Sequence, residues 1–352
     1  LSLSTANLPT PAIINPDDHF SSQIVAKSGT TTTFTLPDWI TTYEYLIIIK
    51  NTTGAAEKWY WINSITGVNK YWSSNESGTV TTDANVYSRS GTTGTLGSTL
   101  TSGKNYLIEI HKAGLASETA SNTTGSIDTT ATSANTLSGF SISVWTGTGS
   151  AGSIGHGLSQ KPEFWMHKHN ASAGGVYGHI GLTNPATYYL YYNSNAQSGA
   201  DANQWNSTAP TNSLIHMGSS GNTNGTGTNG MVSYAWHGVE GYSSFGKYEG
   251  NNNSDGSFIA TGQGGGSYFF KNIDTTNNWF NMNTTFKNYN VNGEFIRFSE
   301  TAILATAANS IADFVSNGIK FRGTGADVNS ASTFIYGTWG GRALTDGAIN
   351  QS

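Results

Sequence analysis

Cysteine is absent, so no disulfide and no thiolate metal site can hold this chain together. Charge is scarce as well. Asp, Glu, Lys and Arg make up 11 % of 352 residues, the net charge is −5, and no Lys/Arg cluster occurs, which removes the electrostatic footprint of nucleic-acid binding. Long apolar runs are missing too: the longest, Tyr45-Leu46-Ile47-Ile48-Ile49, is the size of a strand and far short of the ~18 residues that a spanning helix needs. The chain opens on Leu1 rather than Met, and no secretory leader is read there.

What is abundant is turn chemistry and rings. With 43 glycines, 12 % aromatic and 36 % hydrophobic residues, the composition is that of short strands joined by tight reversals, with apolar surface enough for cores. The chain is organised around Gly139 to Asn170. Phe140, Ile142 and Val144 alternate with Ser141, Ser143 and Trp145, the period-2 pattern of a half-buried strand. Gly147, Gly149 and Gly152 mark a reversal, and Phe164-Trp165-Met166-His167-Lys168 reads as a further strand behind Pro162.

Weaker copies of this unit lie on both sides. Taking a lysine as landmark in Ile49-Lys50-Asn51, His167-Lys168-His169 and Phe270-Lys271-Asn272, each is followed by a turn and an aromatic strand, and each unit is expected to close on a hairpin (101–111, 213–237, 314–339). A period of about 100 residues suits a small β-sandwich better than a solenoid, whose period is about 20–50. The expected fold is all-β: tandem β-sandwich (jelly-roll or concanavalin-like) repeats with a Pro-rich extended N-terminal arm. The boundaries are an arm at 1–19 carrying Pro9, Pro11 and Pro16, repeat one at 20–112, a Ser/Thr-rich linker at 113–138, repeat two at 139–240, repeat three at 241–340 and a flexible tail at 341–352. The units are expected to be independent of one another, and one helical turn is expected within Thr301 to Val315.

Reactive constellations are weighed next. Gly147/Gly149/Gly152 and Gly225/Gly227/Gly230 match G-x-G-x-x-G, but neither leaves a strand to open a helix, as a dinucleotide site requires. His167 and His169 share a strand face, with His179 on the next strand; packed histidines are the better reading than a zinc site. Asp17-Asp18 and Asn251 to Asp255 read as turns rather than calcium loops. With no G-x-S-x-G, no cysteine and no H-E-x-x-H, the chain is expected not to be an enzyme and to carry no cofactor and no metal.

The aromatics remain. In Tyr188-Tyr189-Leu190-Tyr191-Tyr192 successive rings face opposite ways, so one face must meet solvent, a neighbouring domain or another subunit. Trp59, Trp61, Tyr189, Tyr191 and Trp205 are therefore the candidate interface or glycan-contact residues, and a homo-oligomer, a trimer by preference, is the expected state.

The runs Gly139-Phe140-Ser141-Ile142, Gly155-His156-Gly157-Leu158, Pro162-Glu163-Phe164, Val239-Glu240-Gly241-Tyr242-Ser243-Ser244-Phe245 and Phe314-Val315-Ser316-Asn317-Gly318-Ile319-Lys320-Phe321, with the opening Leu8-Pro9 to Phe20, resemble repeat-domain, virion-surface and tail-fibre-like structural proteins of marine bacteriophages. The resemblance spans nearly the whole chain and supplies no catalytic residues. It implies a virion structural protein on the particle surface, foremost a tail-fibre or adhesion component contacting the host. A capsid decoration protein is the alternative, and a bacterial extracellular carbohydrate-binding protein the third reading. The partners it implies are other virion proteins and a host surface glycan, with no nucleic acid and no membrane insertion.

Overall fold

The computed structural model describes residues 11–171, 175–227 and 230–343. The fold is all-β and antiparallel, in sandwich-like layers. Three large sheets share one strand order. In the first, Phe20–Ala26, Asn105–Leu115, Tyr43–Asn51 and Tyr60–Asn63 run side by side; in the third, Ser243–Glu249, Thr333–Trp339, Ser267–Asn272 and Phe280–Asn283 do the same. The second sheet has Phe140–Trp145, Met231–Trp236, Phe164–His169 and Gly175–His179 in that order, with Ala131–Asn135 added at one edge and Tyr188–Tyr191 and Gly199–Ala200 at the other. Each sequence unit thus threads its last strand between its first and second. The hairpins expected at the unit ends are therefore not closing elements; that last strand is the centre of the sheet.

Lys50, Lys168 and Lys271 stand at one position in this pattern, opposite Leu107, Val232 and Ile335 of the central strand. Four residues further along that strand come His111, Trp236 and Trp339. Their ring centroids lie 5.8, 5.0 and 6.0 Å from one another. Three equivalent positions that touch pairwise must surround an axis of approximate threefold symmetry.

The alternation of each strand explains the cores. Ile47 and Ile49 face outward into a core of their own unit, roofed by the small sheet of Thr32–Thr35, Thr93–Leu96 and Tyr87–Ser90, while Leu46 and Ile48 face the axis. Both faces are buried, which is why Tyr45 to Ile49 reads as an unbroken apolar run. The third unit has a matching roof in Phe258–Ala260, Gly318–Phe321 and Ala312–Val315. The axial faces of all three sheets merge into one core holding Ile48, Trp61, Phe140, Met166, Tyr234, Phe245, Phe269 and Trp339. The units are consequently not independent sandwiches: burying a Trp on the axis takes the other two units as well.

Other expectations are corrected. The 113–138 segment is no free linker; the central strand continues to Leu115, and Ala131–Asn135 joins the second sheet, its Thr132 hydroxyl donating to Ser143 Oγ at 3.1 Å. The described part of the arm is packed rather than extended. Ile13 lies in the axial core, Pro16–Asp18 forms a 3-10 turn, and Asn135 Nδ2 meets His19 Nδ1 at 3.1 Å. Residues 301–315 hold the strands Ala305–Thr306 and Ala312–Val315 in place of a helical turn, since Asn317-Gly318 turns a hairpin. Of the tail, Arg342–Ala343 pairs with Gln263–Gly264, and 344–352 lie outside the described residues.

Candidate functional site

Of the five candidate aromatics, three are interior. Trp59 is fully buried at the seam between units one and three, its Nε1 donating to Arg297 O at 3.0 Å and Glu300 O at 3.1 Å. Trp61 stacks near Trp72 in the axial core. Trp205 lies edge-on to Trp165 and His167 and donates to Tyr188 O at 3.0 Å. None of these can touch a glycan or a second copy of the chain. Trp59 and Trp61 make contacts between units, and Trp205 packs within the outer core of unit two.

Tyr189 and Tyr191 do reach the surface. Along this strand Leu190 and Tyr192 turn into the axial core with Tyr188 packed against it, so Tyr189 and Tyr191 take the outer face. Tyr192 is accommodated because Gly175 sits where units one and three have Trp59 and Trp279: a Cβ there would lie 2.0 Å from the Tyr192 ring. Tyr189 is partly buried against its unit's core, Tyr191 is 37 % exposed, and their rings meet edge to face with centroids 5.2 Å apart at 86°.

This outer face is also where the threefold pattern breaks. The second unit's roof has two strands, Gly152–Gly155 and Leu214–Met217, and single helical turns at Ala202–Trp205 and Gly221–Asn224 in place of a third. Asp201 caps the first turn. Its Oδ1 accepts from Asn203 N at 2.9 Å and its Oδ2 from Gln204 Nε2 at 3.2 Å. Asn222, on the second turn, points its amide at the Tyr191 hydroxyl from 3.5 Å. Gly199 pairs with Tyr189, whose ring lies over it at ordinary contact distance. Partial burial, the Tyr191 hydrogen bond and the Asp201 charge together push the Tyr189 phenol up to about 12, so at neutral pH it keeps its proton and can donate. Two rings, a carboxylate and an amide on one surface offer stacking area and hydrogen-bond donors and acceptors to a ligand.

The sequence profile of one family, described as Domain of unknown function (DUF7483), matches residues 15–342. The chain belongs to that family. No curated protein matches the chain, and no solved structure does.

In this DUF7483 chain several histidines and the landmark lysines are used internally. His167 and His179 lie on opposite faces of the second sheet: His167 packs on Trp145 and Trp205, with Nδ1 3.2 Å from Thr223 O, and His179 packs on Phe269, with Nε2 3.0 Å from Tyr336 O. Burial brings both down to about 3, so they are neutral packing groups. Among the described residues no three His, Cys, Asp or Glu side chains gather in metal-holding range. The landmark lysines are buried at the seams. Lys50 Nζ donates to Glu57 O and Thr301 O, both at 2.8 Å, and Lys271 Nζ to Asn272 O at 2.8 Å and Asn195 O at 3.4 Å. Burial lowers Lys50 to about 7 and Lys168 and Lys271 to about 8.

Three residues one strand further on repeat this seam logic: Asn63 Nδ2 donates to Tyr234 OH at 2.8 Å, His179 reaches Tyr336 O, and Asn283 Nδ2 donates to Glu109 Oε1 at 2.7 Å. Sequence reasoning missed Glu109, which is buried with Oε2 unpartnered by protein groups and is pushed up to about 7 by desolvation. The only trace in the sequence is one acidic residue inside the apolar run Tyr106-Leu107-Ile108-Glu109-Ile110. A polar cleft of about 420 Å³ lies where the 116–134 segment meets the central strand of unit one, lined by Glu118, Asn122, Thr124 and Ser133 among others.

Proposed function

We propose that this chain is a non-catalytic structural protein of a bacteriophage virion surface, serving as a tail-fibre or adhesion component that holds a host surface glycan on Tyr189 and Tyr191. One observation carries the reading: Tyr191 is exposed and meets the partly buried Tyr189 edge to face at the place where the second unit departs from the other two, while the remaining candidate aromatics are interior. An exposed Tyr191 and a partly exposed Tyr189 beside Asp201 and Asn222 are suited to stacking and hydrogen bonding a sugar. The resemblance to virion-surface repeat proteins supplies the setting.

The test is retention on a panel of bacterial surface polysaccharides. The wild-type protein is expected to be retained, and Tyr191→Ala to lose retention while remaining folded, at a stability cost of about 1 kcal/mol for the lost Tyr189 ring contact. A Tyr191→Ala variant that binds as well as wild type would remove the site from the reading. Incubation with the same panel should liberate no reducing ends; their accumulation would make the protein an enzyme.

Capsid decoration is a second reading, favoured by the approximate threefold axis. A body that closes threefold within one chain matches the threefold positions of an icosahedral lattice. Cryo-EM of particles carrying the chain separates tail from capsid. A homotrimer is a further proposal, read from the mass of the isolated protein. Its ring contacts would have to come from exposed residues such as Tyr191, Phe258 and Tyr289, and not from Trp59, Trp61 or Trp205.

A further inference from the structure

We propose that the Tyr189–Tyr191 patch takes neutral hydroxylated glycans and turns acidic ones away, an inference that rests on the adhesive reading above. The elements that build the patch are Tyr188–Tyr191, Gly199–Ala200, Ala202–Trp205, Leu214–Met217 and Gly221–Asn224. None carries a lysine or arginine, and the sequence has none between Lys168 and Lys247. Lys168, on the same sheet, and Lys271, which reaches Asn195, are fully buried, with their ammonium groups turned onto the main-chain oxygens of His169 and of Asn195 and Asn272. The fixed charge at the patch is Asp201. Both of its oxygens are held, one by the Asn203 amide and one by Gln204, so it cannot swing away from an arriving anion.

A uronate, sulfate or phosphate on a sugar stacked here would meet that carboxylate with no cation from these elements to offset it. Two like charges about 4 Å apart in water repel by about 1 kcal/mol, a factor of about five in affinity, and by more where water is displaced. A neutral sugar escapes this cost and gains from Asp201, whose free lone pairs accept sugar hydroxyls, and from the Asn222 amide, which can donate as well as accept. The phenols add stacking area and two further donors.

The experiment uses the full chain and matched probes: dextran, mannan and galactan, each beside its carboxymethylated derivative, with dissociation constants read by biolayer interferometry. For any backbone that is bound, the neutral form is expected to bind at least about fivefold more tightly than the carboxymethylated one. That gap should close at ~0.5 M NaCl, where exposed charges are screened, and the neutral form's affinity should stay unchanged. Asp201→Asn, which keeps an oxygen for the Asn203 amide, should close the gap at low salt. If that variant does not fold, the wild-type salt series decides alone. Equal or tighter binding of the carboxymethylated forms, abolished by Tyr191→Ala, would overturn the neutral preference and leave the adhesive reading standing. Wild-type protein that binds none of the polysaccharides would take both down together.

Discussion

Glu109 is the residue whose substitution tests the closed arrangement most sharply. It sits on the central strand of unit one, beside Ser22 and Ile48 of the flanking strands, and meets Asn283 of unit three across the seam. The Ser267 hydroxyl and the Asn283 amide favour its charged form, but desolvation outweighs them and lifts the carboxyl from 4.5 to about 7. The nearest titratable neighbour on the same strand face, His111, is held neutral by burial at about 3 and offers no counter-charge.

The folded chain therefore keeps a proton that the unfolded chain releases. Below pH 4.5 the residue costs nothing extra; the cost grows as pH rises and is complete above pH 7, where it amounts to about 3 kcal/mol at 1.36 kcal/mol for each tenfold in proton affinity. Glu109→Gln removes the titration and retains the oxygen for Asn283, while placing an amide where Oε2 has no partner, which costs about 1–2 kcal/mol. The variant should thus be less stable than wild type by about 1–2 kcal/mol near pH 4.5 and more stable by a similar amount at pH 8. Urea denaturation of both proteins at the two pH values reads this crossing directly, because carboxylates common to both cancel in the difference. A difference that stays constant across the pH range would refute the buried, proton-holding Glu109.

Two further outcomes follow from the packing. Trp236→Ala removes a ring in contact with His111, Phe140, Phe164 and Trp339 from three units; it should cost about 3–5 kcal/mol, and unfolding should stay a single transition by fluorescence and calorimetry, whereas separate transitions would mean that the units stand alone. Gly175→Ala should cost at least about 1–3 kcal/mol in thermal or urea unfolding, because its methyl would meet the Tyr192 ring; a neutral effect would show that the Tyr192 ring is not held against that strand.

The strands were legible wherever one face is apolar. Phe140–Trp145 and Phe164–His169 follow from their alternation and from the turn residues around them, and the all-β class from composition, since these signals are local. The lysine landmark was legible as a repeated letter, and the register of the three sheets gives it one shared position. The 113–138 segment was misread because its serines and threonines look like a solvated linker, whereas Thr129, Thr132 and Ser143 bond to one another once a strand edge is supplied.

By itself the sequence determined that this chain would be built of short antiparallel strands in three related stretches, because alternation, glycine turns and aromatic content act over a few residues at a time. Only the tertiary structure decided where the second face of each sheet would go. A strand with apolar residues on both sides can be covered by a roof, a neighbouring domain or another molecule, and the local pattern is the same in every case. Here His111, Trp236 and Trp339 closed the three sheets on one axis, which drew Trp59 and Trp61 inside and left Tyr191 at the surface. That division depends on contacts between residues more than 100 positions apart, and no periodicity within a strand encodes them.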